Sequence, residues 1–261
     1  MRIQSESVSI HSGLALLLAA VVSTGCAGPS RNDSFYATAN EKLWTIDIGP
    51  GDKVTISEVG PTGQLGCGSI ARSPDGVLYS LCGEGMGKPG PQQLATLDPA
   101  TGKANVFGEL VEGLMIMGLE FGPDATLYAV GDANAASPTF NSLYTVNLKS
   151  GAITRVGSTA APDFFHDFAV TRDGTMHGSS GRALYSIDLK TGTANKVVDF
   201  VGGGGFGVMG LSYNQGQDRL YATDFRQPNS PFYVVDVGTG FLTPMAATGL
   251  PFSHGLVTRP H

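Results

Sequence analysis

Charge is scarce in this sequence. Asp, Glu, Lys and Arg make up 15% of it, and 16 basic residues are outnumbered by 22 acidic ones. The basic residues are scattered through turns and return strands, with no stripe or cluster. Affinity for phosphate backbones comes from clustered Lys and Arg, so nucleic acid is not the partner. No segment beyond the N-terminal stretch sustains an apolar period of 3.6, which leaves no helices to build with. The longest apolar run, Gly13 to Val22, is too short to cross a bilayer. Familiar catalytic patterns are missing too: there is no HExxH helix, no CxxC pair and no Ser-His-Asp elbow. The glycine run Gly202 to Gly205 lacks the downstream Lys-Ser/Thr and the helix that a phosphate loop needs. It reads as a flexible connection.

Glycine, by contrast, is abundant, at 37 of 261 residues. Much of it belongs to a unit that occurs five times: Leu43-Trp44-Thr45-Ile46-Asp47, then copies starting at Leu94, Leu143, Leu184 and Phe232. Each ends in Asp or Asn, and a glycine follows four residues later: Gly51, Gly102, Gly151, Gly192 and Gly240. Successive starts lie 51, 49, 41 and 48 residues apart. A period of about 40–50 residues belongs to four-stranded propeller blades. The unit reads as a strand, a tight turn and a return strand. In the third copy Lys149-Ser150-Gly151 forms a three-residue loop, with glycine at the positive φ such a loop requires. The Asp or Asn accepts hydrogen bonds from turn amides.

A second hairpin precedes each unit. Ser73-Pro74-Asp75-Gly76, Gly122-Pro123-Asp124 and Arg172-Asp173-Gly174 are turns between apolar runs, with proline presetting φ. The chain ends complete each other. His254-Gly255-Leu256-Val257 matches a first strand with nothing after it, and Ser34-Phe35-Tyr36-Ala37-Thr38 matches a second strand with nothing before it. The expected fold is therefore all-β: a five-bladed β-propeller of four antiparallel strands per blade. Pairing of the N- and C-terminal strands closes it and removes exposed sheet edges.

Residues 1–25 read as a signal peptide. Ser23-Thr24-Gly25-Cys26 resembles a bacterial lipobox, although Ser23 stands where an aliphatic residue is usual. It implies cleavage before Cys26, acylation of that cysteine and a short tether over residues 26–33. The single propeller domain then spans residues 34–261. The expected location is a bacterial cell envelope, with the lipid anchor in the outer membrane or at the cell surface. The other two cysteines flank one hairpin. With the turn centred on Pro74-Asp75, Ala71 faces Leu78 and Cys67 faces Cys82. Directly opposed residues lie close enough for a disulfide, which an oxidising compartment favours.

Loops carry most sites, so the rim where chains enter the first strands is the place to look. The residues just inside those strands are Gly68, Met117, His166, Met209 and His254, followed by Ser69, Gly118, Asp167, Gly210 and Gly255. Imidazole and thioether suit copper. The two histidines, however, fall in non-neighbouring blades, and methionine beside an apolar strand usually packs. The reading is accordingly no metal and no cofactor. Phe164, Phe165, His166, Asp167, Phe206, Phe252 and His254 form the expected ligand-binding rim, an aromatic wall with a few polar groups. The same phenylalanines would equally serve to plug the channel. Loops 83–92, 131–141 and 224–229 are further contact candidates.

Glycosidase chemistry needs paired carboxylates, and the inner strands offer only Glu120 and Asp167. His166 and Asp167 are adjacent in a strand and point to opposite faces, so they do not form an acid–base pair. No catalytic residue is assigned. The repeats resemble those of exported bacterial β-propellers with Leu-Tyr-x-Ile-Asp-x-x-Thr-Gly units, a broad group, over Phe35 to Val257. The lone Trp44 and the absence of Gly-His and Trp-Asp pairs set the chain apart from WD40 and quinoprotein propellers. The resemblance implies an envelope-anchored binding scaffold; the expected partner is an envelope protein or a small ligand, and the expected state is a monomer. A hydrolase or lyase centred on the channel and a purely structural envelope component are the alternatives.

Overall fold

The computed structural model describes residues 33–83, 90–131, 137–202, 207–224, 231–250 and 253–259. The expected leader, Cys26, Phe206 and Phe252 lie outside them. The closing blade, blade 5, contains β1 (Asp33–Ala39), β2 (Lys42–Gly49) and β3 (Lys53–Pro61). Blade 1 is β4 (Ala71–Arg72), β5 (Leu78–Gly83), β6 (Gln92–Leu97) and β7 (Ala104–Val111). Blade 2 is β8 (Ile116–Phe121), β9 (Leu127–Gly131), β10 (Ser142–Val146) and β11 (Ile153–Ser158). Blade 3 is β12 (Asp167–Val170), β13 (Met176–Ser179), β14 (Ala183–Ile187) and β15 (Ala194–Asp199). After the two-residue β16 (Val201–Gly202), blade 4 follows as β17 (Val208–Asn214), β18 (Arg219–Asp224), β19 (Pro231–Val235) and β20 (Phe241–Ala247). Finally β21 (Gly255–Thr258) returns to blade 5 in the order β21-β1-β2-β3.

The chain is thus a five-bladed β-propeller with four antiparallel strands per blade, β16 adding a short parallel strand against β20. Tyr36 pairs with Val257 and Ala37 with Leu256 across the closing seam. The Arg259 amide donates to the Ser34 carbonyl at 2.7 Å. Asp33, placed in the tether by the sequence reading, is instead the first residue of β1. It is buried because Asn214 and Tyr221 of blade 4 both donate to its carboxylate.

Alternation along each strand gives every blade two apolar faces, and a separate cluster fills each of the five blade–blade interfaces. At the seam Phe35 is fully buried, its ring 4.9 Å from Tyr221 and 5.5 Å from Phe232. Burying such a side chain stabilises the fold by about 2–3 kcal/mol.

The turns differ from the sequence reading by one residue each. In the first hairpin of blade 1, Ser73 and Val77 are bonded and Gly76 has φ +94°, so the loop holds three residues, not two. The register moves with it: Ala71 pairs with Tyr79, not Leu78. The Cys67–Cys82 disulfide nevertheless forms, with Cα atoms 4.0 Å apart. Cys67 precedes β4 and is free of the ladder spacing that the shifted register sets. In the second hairpin Asn147 bonds Ala152, so four residues turn the chain rather than three. Asp98, Asp188 and Asp236 repeat this pattern, whereas blade 5 carries its ladder on to Gly49 and Lys53 and turns through Pro50–Asp52.

The repeat also has a role that its spacing conceals. All five outer hairpins break register at the first residues of the unit, as between Leu143 and Tyr144. At that break the outer strand of blade 2 presents Gly157 to the turn of blade 3. A Cβ on Gly157 would lie 2.0 Å from the Thr191 carbonyl oxygen, which only glycine avoids.

Candidate functional site

Five innermost strands surround the axis: β4 packs on β8, β8 on β12, β12 on β17, β17 on β21 and β21 on β4. Their matching residues are Ser69, Gly118, Asp167, Gly210 and Gly255. The glycines allow backbone to meet backbone. A Cβ on Gly118 would be 2.8 Å from the Asp167 Cα, and one on Gly255 would be 2.8 Å from the Gly68 carbonyl. Asp167 therefore puts a lone carboxylate where the neighbouring inner strands have glycine.

Asp167 is fully buried, and its Oδ2 accepts the Leu211 amide of blade 4 at 2.9 Å. Burial pushes its pKa well above the ordinary carboxylate range. The Leu211, Phe168 and Leu256 amides pull the other way, and the nearby Glu120 adds to the rise. Oδ1 has no hydrogen-bond partner. Glu120 is half-buried on β8, its Oε1 accepting the Phe121 amide at 2.8 Å. Burial raises it to about 8. At neutral pH this carboxyl is held protonated, able to donate a hydrogen bond or a proton.

One residue nearer the rim stand Met117, His166, Met209 and His254, from blades 2, 3, 4 and 5 in turn. Ladder pairing shifts at both methionines, between Ile116 and Gly118 and between Val208 and Gly210. Such bulges re-aim a side chain. Met115, Met117 and Met209 form a buried cluster apart from the blade cores, with Phe164 packed against it. Blades 2 and 4 are not neighbours, so these thioethers meet over the mouth of the channel. The Phe164 ring lies 4.5 Å from that of His166. Burial depresses His166 to about 4, and His254 lowers it further by charge repulsion. His254 is depressed to about 4 by burial alone. Both rings are neutral at neutral pH, and although their blades are not adjacent they stand within electrostatic reach.

The mouth thus brings together Phe164, His166 and His254, with Asp167 beneath. Phe165 belongs elsewhere: it is fully buried in the core between blades 2 and 3, 5.1 Å from Tyr185. Its amide donates to Asn141 Oδ1 at 2.9 Å. Met115 is the mouth residue that sequence reasoning missed. Among the described residues no three His, Cys, Asp or Glu side chains converge as a metal group.

Residues 32–248 match a family model described as a repeat of unknown function, DUF6923. A search of curated proteins finds no match. Among solved structures the chain is similar to one from the nidogen/laminin complex, at 9% identity and a TM-score of 0.56, over 87% of this chain and 98% of that one. It is also similar to a protein from Lactobacillus plantarum, at 10% identity and a TM-score of 0.50, over 88% and 100%. A protein of unknown function from Bacteroides caccae shows 10% identity and a TM-score of 0.49 over the same shares. Likeness at such identity concerns the fold alone. With the greater part of its length matched, the chain belongs to the DUF6923 repeat family.

Proposed function

We propose that this protein is an exported, lipid-anchored binding scaffold that takes a small ligand or an envelope protein at the rim around the channel mouth. The observation that carries this reading is a concentration of buried polar atoms without hydrogen-bond partners. His166 Nδ1, Asp167 Oδ1, Thr223 Oγ1 and Ser253 Oγ all lie at or beside the inner ring. Native interiors satisfy nearly all such atoms, and exceptions call for a functional explanation. By contrast, the outer hairpin turns at the opposite rim satisfy their own polar groups, as where Asp98 accepts the Ala100 amide at 2.8 Å and the Thr101 hydroxyl at 2.9 Å.

A thermal-shift screen of the mature chain against small organic ligands tests this. At least one ligand should raise Tm, and the rise should disappear in Phe164→Ala and in His254→Ala. Hits that survive both substitutions place binding elsewhere. The anchor has its own test: mass spectrometry of the mature N-terminus should find an acylated Cys26, and an unmodified chain starting at another residue removes it.

A second reading, a channel-centred hydrolase or lyase, draws on Glu120. A carboxyl held protonated near neutral pH suits a general acid. Turnover of any ligand found in the screen, abolished in Glu120→Gln with binding retained, would favour it over the scaffold.

A further inference from the structure

Around the axis, four consecutive blades offer a donor at one level, and the donors alternate: Met117, His166, Met209, His254. The fifth position is Gly68. A plain apolar plug has no need of this pattern, since leucine or phenylalanine fills space as well and brings no lone pair. Both methionines stand at bulges that break their ladders, and both leave their own blade faces to meet Met115 over the mouth. Phe164 connects the two donor types, packing on the thioethers and lying 4.5 Å from the His166 ring. His166 Nδ1 is buried there without a hydrogen-bond partner.

The donor set selects the ion. Thioether and imidazole form soft sites that favour Cu(I), while hard cations prefer carboxylate and carbonyl oxygens. Zinc sites use Cys, His and carboxylate, and no group of three such residues converges among those described. We propose that the channel mouth is a binding site for a soft monovalent cation, Cu(I), held by the thioethers of Met117 and Met209 and the imidazole of His166, with Met115 and His254 flanking them. This rests on the reading of the mouth as a binding site, and it names a ligand class for that site. Binding involves no electron transfer, so redox-inert Ag(I) serves as a probe for Cu(I).

The experiment titrates the untagged, disulfide-intact mature chain with Ag(I) and counts bound ions by native mass spectrometry. Cu(I), kept reduced with ascorbate, is then competed against a chromophoric chelator. One ion per chain is expected, with affinity falling at least ~100-fold in the Met117→Leu/Met209→Leu double variant. Met245→Leu, on the outer strand β20, should bind as the parent does. His166→Gln provides a second variant if the double substitution disturbs folding, and it should weaken binding at least ~10-fold. Equal Ag(I) binding by parent and mouth variants would overturn the proposal, as would no binding at all. Zn(II) bound as tightly as Cu(I), and untouched by the methionine changes, would also overturn it. If Ag(I) fails to bind while an organic ligand still stabilises through Phe164 and His254, the cation assignment falls and the rim reading stands.

Discussion

Asp188 and Asp167 lie in the same blade, and the protein treats their carboxyls in opposite ways. Asp188 opens an exposed turn, where the Lys190 and Thr191 amides donate to it at 2.8 and 3.2 Å and lower its pKa. Asp98 and Asp236, at matching places in blades 1 and 4, are lowered by the same kind of bond. Asp167 also accepts an amide, but burial at the axis outweighs it and the shift is upward. Surroundings, not residue type, set the sign. The outer turns are where blades 1 to 4 agree. The axis is where they differ: aspartate occurs once against Ser69 and three glycines, and Glu120 stands level with Ala71, Ala169, Ser212 and Val257. Whatever the axis does specifically must come from those departures, because the repeated positions are already occupied in holding blade to blade.

The largest effect should come from breaking a repeated contact. Gly157→Ala sets a Cβ 2.0 Å from the Thr191 carbonyl oxygen, a backbone atom that cannot swing away. Overpacking of this kind costs about 3 kcal/mol. Gly49→Ala meets only the Lys53 carbonyl at 3.7 Å and should be close to neutral. Urea unfolding of the two variants checks the difference. Equal midpoints would mean that the outer contact is slack and that the periphery does not hold the blades.

The axis should show itself through pH. The folded-state pKa of Glu120 is raised from 4.5 to about 8, so the folded protein holds this proton more tightly than the unfolded chain does. The resulting stability is fully present below pH 4.5 and is lost as pH rises toward 8. Glu120→Gln, which resembles the protonated form, should therefore lose less Tm than the parent between pH 5 and pH 8. Partial exposure of Glu120 screens part of the effect, leaving a difference of roughly 3 °C, or ~1 kcal/mol in a domain of this size. Parallel Tm curves for the two proteins would show that Glu120 is solvated after all.

Much of the fold was legible because a propeller writes itself into sequence by repetition. Leu143 to Asn147 and its four copies marked the outer hairpins, and the orphan strands at Phe35 and Leu256 marked the seam. The registers were less legible. One added loop residue, signalled only by the positive φ of Gly76, shifts Ala71 from Leu78 to Tyr79. The bulges at Met117 and Met209 left no trace in composition, since an extra residue in a strand looks like any other. Phe164 and Phe165 read alike, yet one caps the mouth while the other lies 6.3 Å from Phe168 in the core. Adjacent strand-edge residues face opposite ways, and only the backbone geometry decides which faces in. His166 and His254 were both read as rim residues, but counting blades gave no sign that the charge of one would reach the other.

The smallest effect tests how far the outer turns are truly equivalent. Blade 2 uses Asn147 where blades 1, 3 and 4 use aspartate. Its Oδ1 accepts the Lys149 and Ser150 amides at 2.9 and 3.1 Å. Asn147→Ala removes the acceptor from an exposed turn where water can take its place, so the loss should be about 0.5–1 kcal/mol. Asn147→Asp keeps the acceptor and adds a charge that the same amides favour. By analogy with Asp188, its folded pKa should fall below the unfolded value. That adds stability above pH ~4, which is lost as acid protonates the carboxylate. The aspartate variant should thus match or exceed the parent in Tm at pH 7 and drop beneath it near pH 3. If it is less stable than the parent at pH 7, the turn of blade 2 differs from its neighbours in more than side-chain charge, and the uniformity of the periphery, against which the axis stands out, would no longer hold.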